Sequence, residues 1–144
     1  MKKTSEKGFT LIKKYEGLSL TTYRCPAGLL TIGYGHTGKD VIVGLTINEV
    51  AANNLLKNDV EKFEDAIHVL VKVPLVQNQF DALVSFAYNV GTNSLKNSTL
   101  LKKINQSDYA SAADEFPKWN KSNGKVLPGL VKRRDEEKSL WMTN

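Results

Sequence analysis

The stretch EGLSLTTYRCPAGLLTIGYGHT at residues 16–37 decides the fold, because the periodicity of the sequence changes at its start. Before it, apolar side chains recur with helical spacing. Within it, short β-branched and aromatic runs alternate with glycines, and CPAG at 25–28 has the proline and glycine of a turn. The stretch therefore predicts a helix that leads directly into a small antiparallel sheet or hairpin.

Glu16 ends the predicted first helix, which Ser5 can cap. Phe9 and Ile12 share one face of this helix, and Glu16 follows Ile12 by four residues on the same face. Gly17 provides a C-terminal stop. A carboxyl that ends a helix on its core-facing side loses part of its hydration, which favours the protonated form that a general acid needs.

Beyond this point the chain is predicted to continue the sheet and then become helical. The predicted sheet runs are TTYR, LLTIGYG and VIVG, at 21–24, 29–35 and 41–44. A capping-box pattern at 46–49, headed by Thr46, predicts a long helix over about 47–71, with Val50 among its buried positions.

The C-terminal half is predicted to be entirely helical. Residues 78–91 are apolar nearly all round, which is typical of a central helix, and Gly91 ends them. Three further helices are predicted from the residues that would begin them: Ser98, Asp108 (through Phe116) and Pro128.

These elements predict an α+β fold in a single domain spanning residues 1–144. A small β-rich lobe is expected over about 17–46, and a larger helical lobe over about 1–16 and 60–144. The long helix would join the lobes, and a cleft between them would be the natural ligand site.

Composition narrows the class of protein. One cysteine cannot form an internal disulfide, and no run of 18 apolar residues is present to span a membrane. The N-terminus is basic but lacks the apolar segment of a signal peptide, so no export signal is expected. A formal charge of +5 suits an anionic partner such as nucleic acid, an anionic membrane or an acidic polysaccharide.

Two chemistries compete for residues 16–37. Cys25 with His36 would suit a thiol nucleophile, although they are eleven positions apart and no third orienting group is evident. Glu16 ahead of a hairpin suits acid catalysis on a sugar. Structural interpretations stand beside both, since a free cysteine is usually a small buried hydrophobe and Thr31 is a good strand former.

The sequence resembles the phage-type lysozymes, the endolysins of glycoside hydrolase family 24, and within them the lambdoid-phage branch. The most specific match is the order Glu16, eight residues, Cys25, five residues, Thr31 inside YEGLSLTTYRCPAGLLTIGYGHT. Further matches follow in the same order: QNQFDALVSFAYNVG at 77–91, STLLKKIN at 98–105 and KWNKSNGKVLPGLVKRR at 118–134. The resemblance extends from about Gly8 to Trp141.

The resemblance implies a lysozyme-like fold and cleavage of the β-1,4 bond between N-acetylmuramic acid and N-acetylglucosamine in bacterial peptidoglycan. By position, Glu16 would be the general acid, Cys25 would stand where many members have Asp, and Thr31 would be the third active-site residue. Cys25 can act only as thiolate, and Arg24 beside it could lower its pKa, although neighbouring strand residues point apart. The sequence leaves open whether Cys25 attacks the sugar or activates water.

Other polar and aromatic residues are candidates for substrate binding, each with a structural alternative of similar weight. His36 has no second ligand at metal-binding spacing, so a structural ion pair or a hydrogen bond in the cleft wall is expected, and neither a metal nor another cofactor is predicted. The candidates are Tyr34, His36, Asn89, Ser94, Asn97, Arg133 and Arg134.

Several alternative functions remain: a non-catalytic cell-wall binding module, a lytic transglycosylase, and a thiol peptidase or amidase. Nucleic-acid binding is not expected, because the lysines are scattered without a basic stripe. The expected partner is peptidoglycan, and the expected state is a monomer without stable membrane insertion. Release from a host bacterial cytoplasm to the wall would need a separate holin-like partner or an N-terminal anchor.

Overall fold

A computed structural model describes residues 1–143, and within them it contains seven α-helices and five short strands. The helices are α1 (Glu6–Glu16), α2 (Glu49–Leu70), α3 (Gln77–Val90), α4 (Thr92–Lys96), α5 (Thr99–Asn105), α6 (Tyr109–Ala113) and α7 (Pro128–Met142). The strands are β1 (Ser19–Arg24), β2 (Leu30–Gly33), β3 (His36–Thr37), β4 (Lys121–Ser122) and β5 (Lys125–Val126).

The chain divides into two compact units. One comprises Lys13–Lys62, and the other comprises Met1–Ile12 together with the chain from Phe63 onward. The predicted lobe boundaries within the single domain stay a prediction. No helix among the described residues is both long and apolar enough to cross a membrane.

The unit 13–62 contains an antiparallel sheet in the order β1-β2-β3. Arg24 pairs with Leu30 at the end of the first hairpin, and Thr31 pairs with Thr37 across the second. The predicted CPAG turn is confirmed, because the Gly28 N–H donates to the Cys25 carbonyl at 2.8 Å. The Cys25 N–H in turn donates to the Leu29 carbonyl at 3.0 Å, which holds the two ends of the turn together.

Two predictions about residues 41–50 are wrong. The run VIVG is not a strand, and His36–Thr37 forms the third strand instead. The chain at 41–44 turns back, with Val43 exposed at 76%, and Thr46 then forms a β-bridge with Thr21. This extended bridge places Thr46 outside the helix, so Asn48 is the cap: its Oδ1 accepts the Ala51 N–H at 2.8 Å. Val50, in the first turn of α2, is 66% exposed and not buried as predicted.

The second unit is built around α3, whose residues 80–87 are all buried. Gly91 ends α3 as predicted, with φ +94° and its N–H donating to the Ala87 carbonyl at 2.8 Å. The predicted caps of α5 and α6 are also confirmed, since Ser98 and Asp108 accept hydrogen bonds from Leu101 N and Ser111 N.

Three details of the helical unit differ from the sequence prediction. Helix α6 ends at Ala113, and the predicted continuation is a separate 3-10 turn at Phe116–Lys118, because Pro117 cannot extend the helix. Helix α4 and the β4–β5 hairpin were not predicted. The Asn123–Gly124 pair could have predicted the hairpin, because Asn-Gly is typical of tight hairpin turns. The observed φ values of +51° and +78° are those of such a turn.

Buried carboxylates from distant parts of the chain hold the start of α1. The Thr4 N–H and hydroxyl both donate to Glu64 Oε2 at 2.7 Å. The Ser5 N–H donates to Asp81 Oδ1 at 3.0 Å, and the Ser5 hydroxyl bonds the same carboxylate. The Ser5 N–H is one of the groups that helix geometry leaves unpaired, and the negative charge of both carboxylates at this end complements the helix dipole.

Candidate active site

Glu16 is the last residue of α1 and is half-buried, as predicted from its spacing after Ile12. Gly17 ends the helix with φ +72°, and its N–H donates to the Lys13 carbonyl at 3.0 Å. Glycine adopts this left-handed conformation without strain, so the chain can leave the helix directly after Glu16 and enter β1.

The first hairpin brings Cys25 and Thr31 together. Cys25 begins the turn and is half-buried, whereas Thr31 on β2 is only 3% exposed, and its hydroxyl donates to the Leu29 carbonyl at 3.0 Å. A hydrogen bond with the Thr31 hydroxyl, followed by one with the Leu29 backbone, lowers the pKa of the Cys25 thiol and outweighs the opposing effect of burial. A lower pKa increases the fraction of thiolate, which is the form in which cysteine is a nucleophile or base.

The prediction that Arg24 could lower the pKa of Cys25 is wrong. Its guanidinium donates from Nη1 to the Gly28 carbonyl at 3.0 Å, and hydrogen bonds rather than its charge stabilise the thiolate. The alternation of side chains along a strand explains this, because neighbouring residues face opposite sides of the sheet.

His36 lies between two carboxylates. Its Nδ1 is 2.8 Å from Asp59 Oδ2, and its Nε2 is 2.9 Å from Asp40 Oδ2. Burial alone would lower the pKa of His36, but the hydrogen bonds and charges of Asp59 and Asp40 outweigh it and raise that pKa. Both ring nitrogens donate in this arrangement, so the imidazolium is favoured and neither nitrogen is left to accept a proton from Cys25.

The ion pair expected for His36 is thus confirmed, although the sequence analysis did not identify its partners. Asp40 could have been predicted as a partner, because it follows His36 by only four residues. Asp59 could not, because it lies 23 residues away. Tyr34 lies in the same unit and is 7% exposed, with Lys13 Nζ 5.4 Å from the centre of its ring. Substrate binding by Tyr34 and His36 stays a prediction.

The other candidate residues belong to the second unit. Arg133 and Arg134 are buried on α7 beside the buried Glu137: Arg134 Nε lies 2.7 Å from Glu137 Oε1, and Ser85 donates to Glu137 Oε2 at 2.6 Å. Burial raises the pKa of Glu137, while both guanidiniums and Ser85 oppose this. Glu137 follows Arg133 by four residues and Arg134 by three. This helical spacing could have predicted the ion pairs from the sequence.

Asn89, Ser94 and Asn97 lie around α4 at the surface of the second unit. Asn89 and Asn97 are exposed and Ser94 is half-buried, and the Asn97 amide donates to the Asn93 carbonyl at 3.1 Å. The roles of these three residues and of the two arginines in substrate binding stay predictions. Among residues 1–143, no three His, Cys, Asp or Glu side chains form a group suited to a metal ion.

The fold is the α+β fold of lysozymes, as predicted. The structure matches the muramidase domain of SpmX from Asticaccaulis excentricus with a TM-score of 0.94 and 38% identity over all of both chains. It matches a P22 lysozyme mutant with a TM-score of 0.92 and 40% identity, covering 99% of this chain and 100% of the other.

The phage lysozyme family model matches residues 13–137, so the chain belongs to the phage lysozyme family. The endolysin of Salmonella phage P22 is 42% identical over 147 residues, covering 99% of this chain and 100% of the relative. The endolysin of Bacillus phage B103 is 51% identical over 141 residues, which are 96% of this chain but 54% of the relative. The chain therefore spans about half the length of that relative and the whole of the P22 one.

Proposed function

We propose that the protein is a muramidase that hydrolyses the β-1,4 bond between N-acetylmuramic acid and N-acetylglucosamine in bacterial peptidoglycan. The observation that carries this proposal is the Cys25–Thr31 pair, with its lowered thiol pKa, in the same compact unit as Glu16 at the end of α1. Glycoside hydrolysis needs one group to protonate the leaving oxygen and another to serve the opposite face of the sugar.

In the proposed mechanism, Glu16 donates its proton to the glycosidic oxygen as the bond breaks. The Cys25 thiolate acts on the opposite face of the sugar ring. It either attacks the anomeric carbon or accepts a proton from the water that attacks this carbon. Thr31 positions Cys25 through the hydrogen bond that stabilises the thiolate. A thiol peptidase mechanism is disfavoured, because both nitrogens of His36 are bonded to carboxylates.

We also propose that the protein reaches its substrate as an endolysin does. Relatives named SAR-endolysins, such as that of Bacteriophage PS119, are 40% identical over 128 residues, which are 88% of this chain and 77% of the relative. The proposed route is synthesis in a host bacterial cytoplasm and release to the periplasm and wall, aided by a holin-like factor or by an N-terminal anchor. The proposed state of the enzyme at the wall is a monomer.

The test is digestion of purified peptidoglycan by the parent, by Glu16→Gln and by Glu6→Gln, with mass spectrometry of the soluble products. Glu6 is a matched control because it is an exposed glutamate on the same helix. The parent and Glu6→Gln should release hydrated disaccharide-peptides, and Glu16→Gln should be slower by about 10²-fold or more. Anhydro sugars would instead identify a transglycosylase, and binding to sacculi without cleavage a binding module.

Substitutions at Cys25 test the second group in the same assay. Cys25→Asp should keep activity, because a carboxylate can serve the same face of the sugar. Cys25→Ala should lose about 10²-fold or more, because no ionisable group remains there. Equal activity of Cys25→Ala and the parent would remove Cys25 from the mechanism.

A further inference from the structure

A shallow groove in the unit 13–62 is lined by both cationic and aliphatic residues. Its cavity volume is about 540 Å³. Two cationic residues, Arg24 and Lys39, share it with three aliphatic ones, Leu29, Leu30 and Val41, and no acidic residue lines it. We refer to it as the Arg24–Lys39 groove.

Both cations of the Arg24–Lys39 groove are exposed and have no carboxylate partner among residues 1–143. Arg24 uses one of its five N–H groups on the Gly28 carbonyl at 3.0 Å, which fixes the guanidinium and leaves the others for a ligand. The acid next to Lys39 in sequence, Asp40, is bonded to His36. The groove therefore has two cationic groups that are not paired with a carboxylate and no acidic residue in its lining.

The groove adjoins the residues proposed for catalysis. Arg24 directly precedes Cys25, and Leu30 directly precedes Thr31, so each pair of Cα atoms is about 3.8 Å apart. Arg24 and Leu30 are paired across β1 and β2, and alternation along a strand places them on the side opposite to Thr31. The groove and the thiol thus lie on two sides of one hairpin.

We infer that the Arg24–Lys39 groove binds the peptide stem of the peptidoglycan substrate, an inference that rests on the proposed muramidase function. A stem is a short peptide with carboxylates and alanine methyl groups, whereas the glycan strand itself has mainly hydroxyl and acetamido groups. A carboxylate suits the fork of Arg24 and the ammonium of Lys39, and methyl groups suit Leu29, Leu30 and Val41. Four extended residues span about 13 Å, so the far end of a stem, with the methyl and carboxylate of its terminal D-Ala, is the part that would reach the groove.

The kinetic test compares two substrates: glycan strands with their peptides, and the same strands after an amidase has removed them. The variants are Lys39→Ala, Arg24→Lys and the double variant Arg24→Ala/Lys39→Ala. The control is Lys57→Ala/Lys102→Ala, which removes two exposed charges elsewhere, on α2 and α5. We expect the double variant to raise KM about tenfold on peptide-bearing strands, and the control to change it by less than about twofold.

On strands without peptides, Lys39→Ala should match the parent. An equal rise of KM on both substrates would overturn the inference, because the cations would then act on the glycan or through general attraction. No change on either substrate would overturn it as well. Lys39→Ala, which alters only an exposed loop side chain, shows the effect without disturbing the Arg24–Gly28 hydrogen bond.

A binding measurement separates this inference from the proposed function. A synthetic stem tetrapeptide containing D-Glu and a terminal D-Ala is titrated into the parent while the methyl NMR signals of Leu29, Leu30 and Val41 are followed. Shifts confined to these methyls and lost in Lys39→Ala would support the groove, even if the parent cleaved neither substrate and the muramidase proposal failed. Shifts elsewhere, or none, would overturn the inference whatever the activity.

Discussion

At the scale of single residues, the hairpin places the Thr31 hydroxyl where it lowers the pKa of Cys25. A free cysteine is mostly protonated at neutral pH, and burial alone would keep it so. Here the Thr31 hydroxyl and the backbone at Leu29 stabilise the thiolate, so the pKa of Cys25 falls although no cation supplies the effect. The lowered pKa supports the proposed use of a thiol as the second catalytic group.

Thr31→Val should therefore raise the pKa of Cys25, because valine keeps the shape of threonine but cannot hydrogen-bond the sulfur. The rate of Cys25 alkylation by iodoacetamide at pH 7 should fall roughly several-fold, in proportion to the thiolate fraction. The low-pH limb of kcat/KM should move to higher pH. Thr37→Val is the matched control, since Thr37 pairs with Thr31 but is exposed. Identical alkylation profiles for the parent and Thr31→Val would refute this account.

At the scale of secondary-structure elements, the start of α1 shows how packing can override helix propensity. Gly8 lies against two side chains that are held by hydrogen bonds. A Cβ at this position would lie 2.6 Å from Thr4 Cγ2 and 3.0 Å from Asp81 Cβ. Thr4 is tied to Glu64 and Asp81 to Ser5, so neither neighbour can give way easily.

Gly8→Ala should thus destabilise the protein by about 1–3 kcal/mol, although alanine is the better helix former. Gly129→Ala is the matched control, because Gly129 is also helical and a Cβ there would meet nothing within 4 Å. It should stabilise by about 0.5–1 kcal/mol. Urea unfolding of both variants measures the difference, and a stable Gly8→Ala would mean that Thr4 and Asp81 can move.

His36 connects three segments: strand β3, the loop at Asp40 and helix α2 at Asp59. The raised pKa of His36 means that its stabilisation is fully present below the unfolded value of about 6.5 and is lost as pH rises through the folded value. The pKa of Asp40 is lowered by the hydrogen bond with His36. The stability that Asp40 contributes is therefore present above its unfolded pKa of about 3.9, and it is lost as pH falls through the folded pKa of Asp40.

His36→Gln should accordingly lower Tm most between about pH 4 and 6.5, by about 2–4 °C for each kcal/mol lost. The difference from the parent should shrink as pH rises toward 9. Asp59→Asn should cost more than Asp40→Asn, because the Asp59 side chain is 25% exposed and that of Asp40 62%, where solvent screens the charge. A Tm difference for His36→Gln that grew at alkaline pH would contradict the linkage.

At the scale of the whole molecule, the charge of +5 should bring the enzyme to an anionic wall. Screening shortens this attraction, since the Debye length falls from about 10 Å at 0.1 M salt to about 3 Å at 1 M. We therefore expect KM for sacculi to rise several-fold across that range, measured as the initial rate of turbidity loss. Lys57→Ala/Lys102→Ala should show a shallower slope. Activity independent of salt up to 1 M would exclude electrostatic attraction.

The sequence alone determined the features that depend on neighbouring residues. The end of α1 at Glu16 and the CPAG turn follow from local spacing and backbone preference, and so do the caps at Ser98 and Asp108. Each requires only interactions between residues a few positions apart, which a short stretch of sequence specifies. The family resemblance of the same stretch identified Glu16, Cys25 and Thr31 as the candidate catalytic residues.

Only the tertiary structure decided the features in which distant residues compete for one partner. Thr46 has the sequence of a cap, but its bridge to Thr21 holds it outside α2, and Asn48 takes that place. The run at 41–44 has strand propensity, yet His36–Thr37 takes the edge beside β2. The Asp59 partner of His36 likewise lies 23 residues away. Such choices depend on which groups folding brings together, because one acceptor or sheet edge can satisfy only one of several candidates.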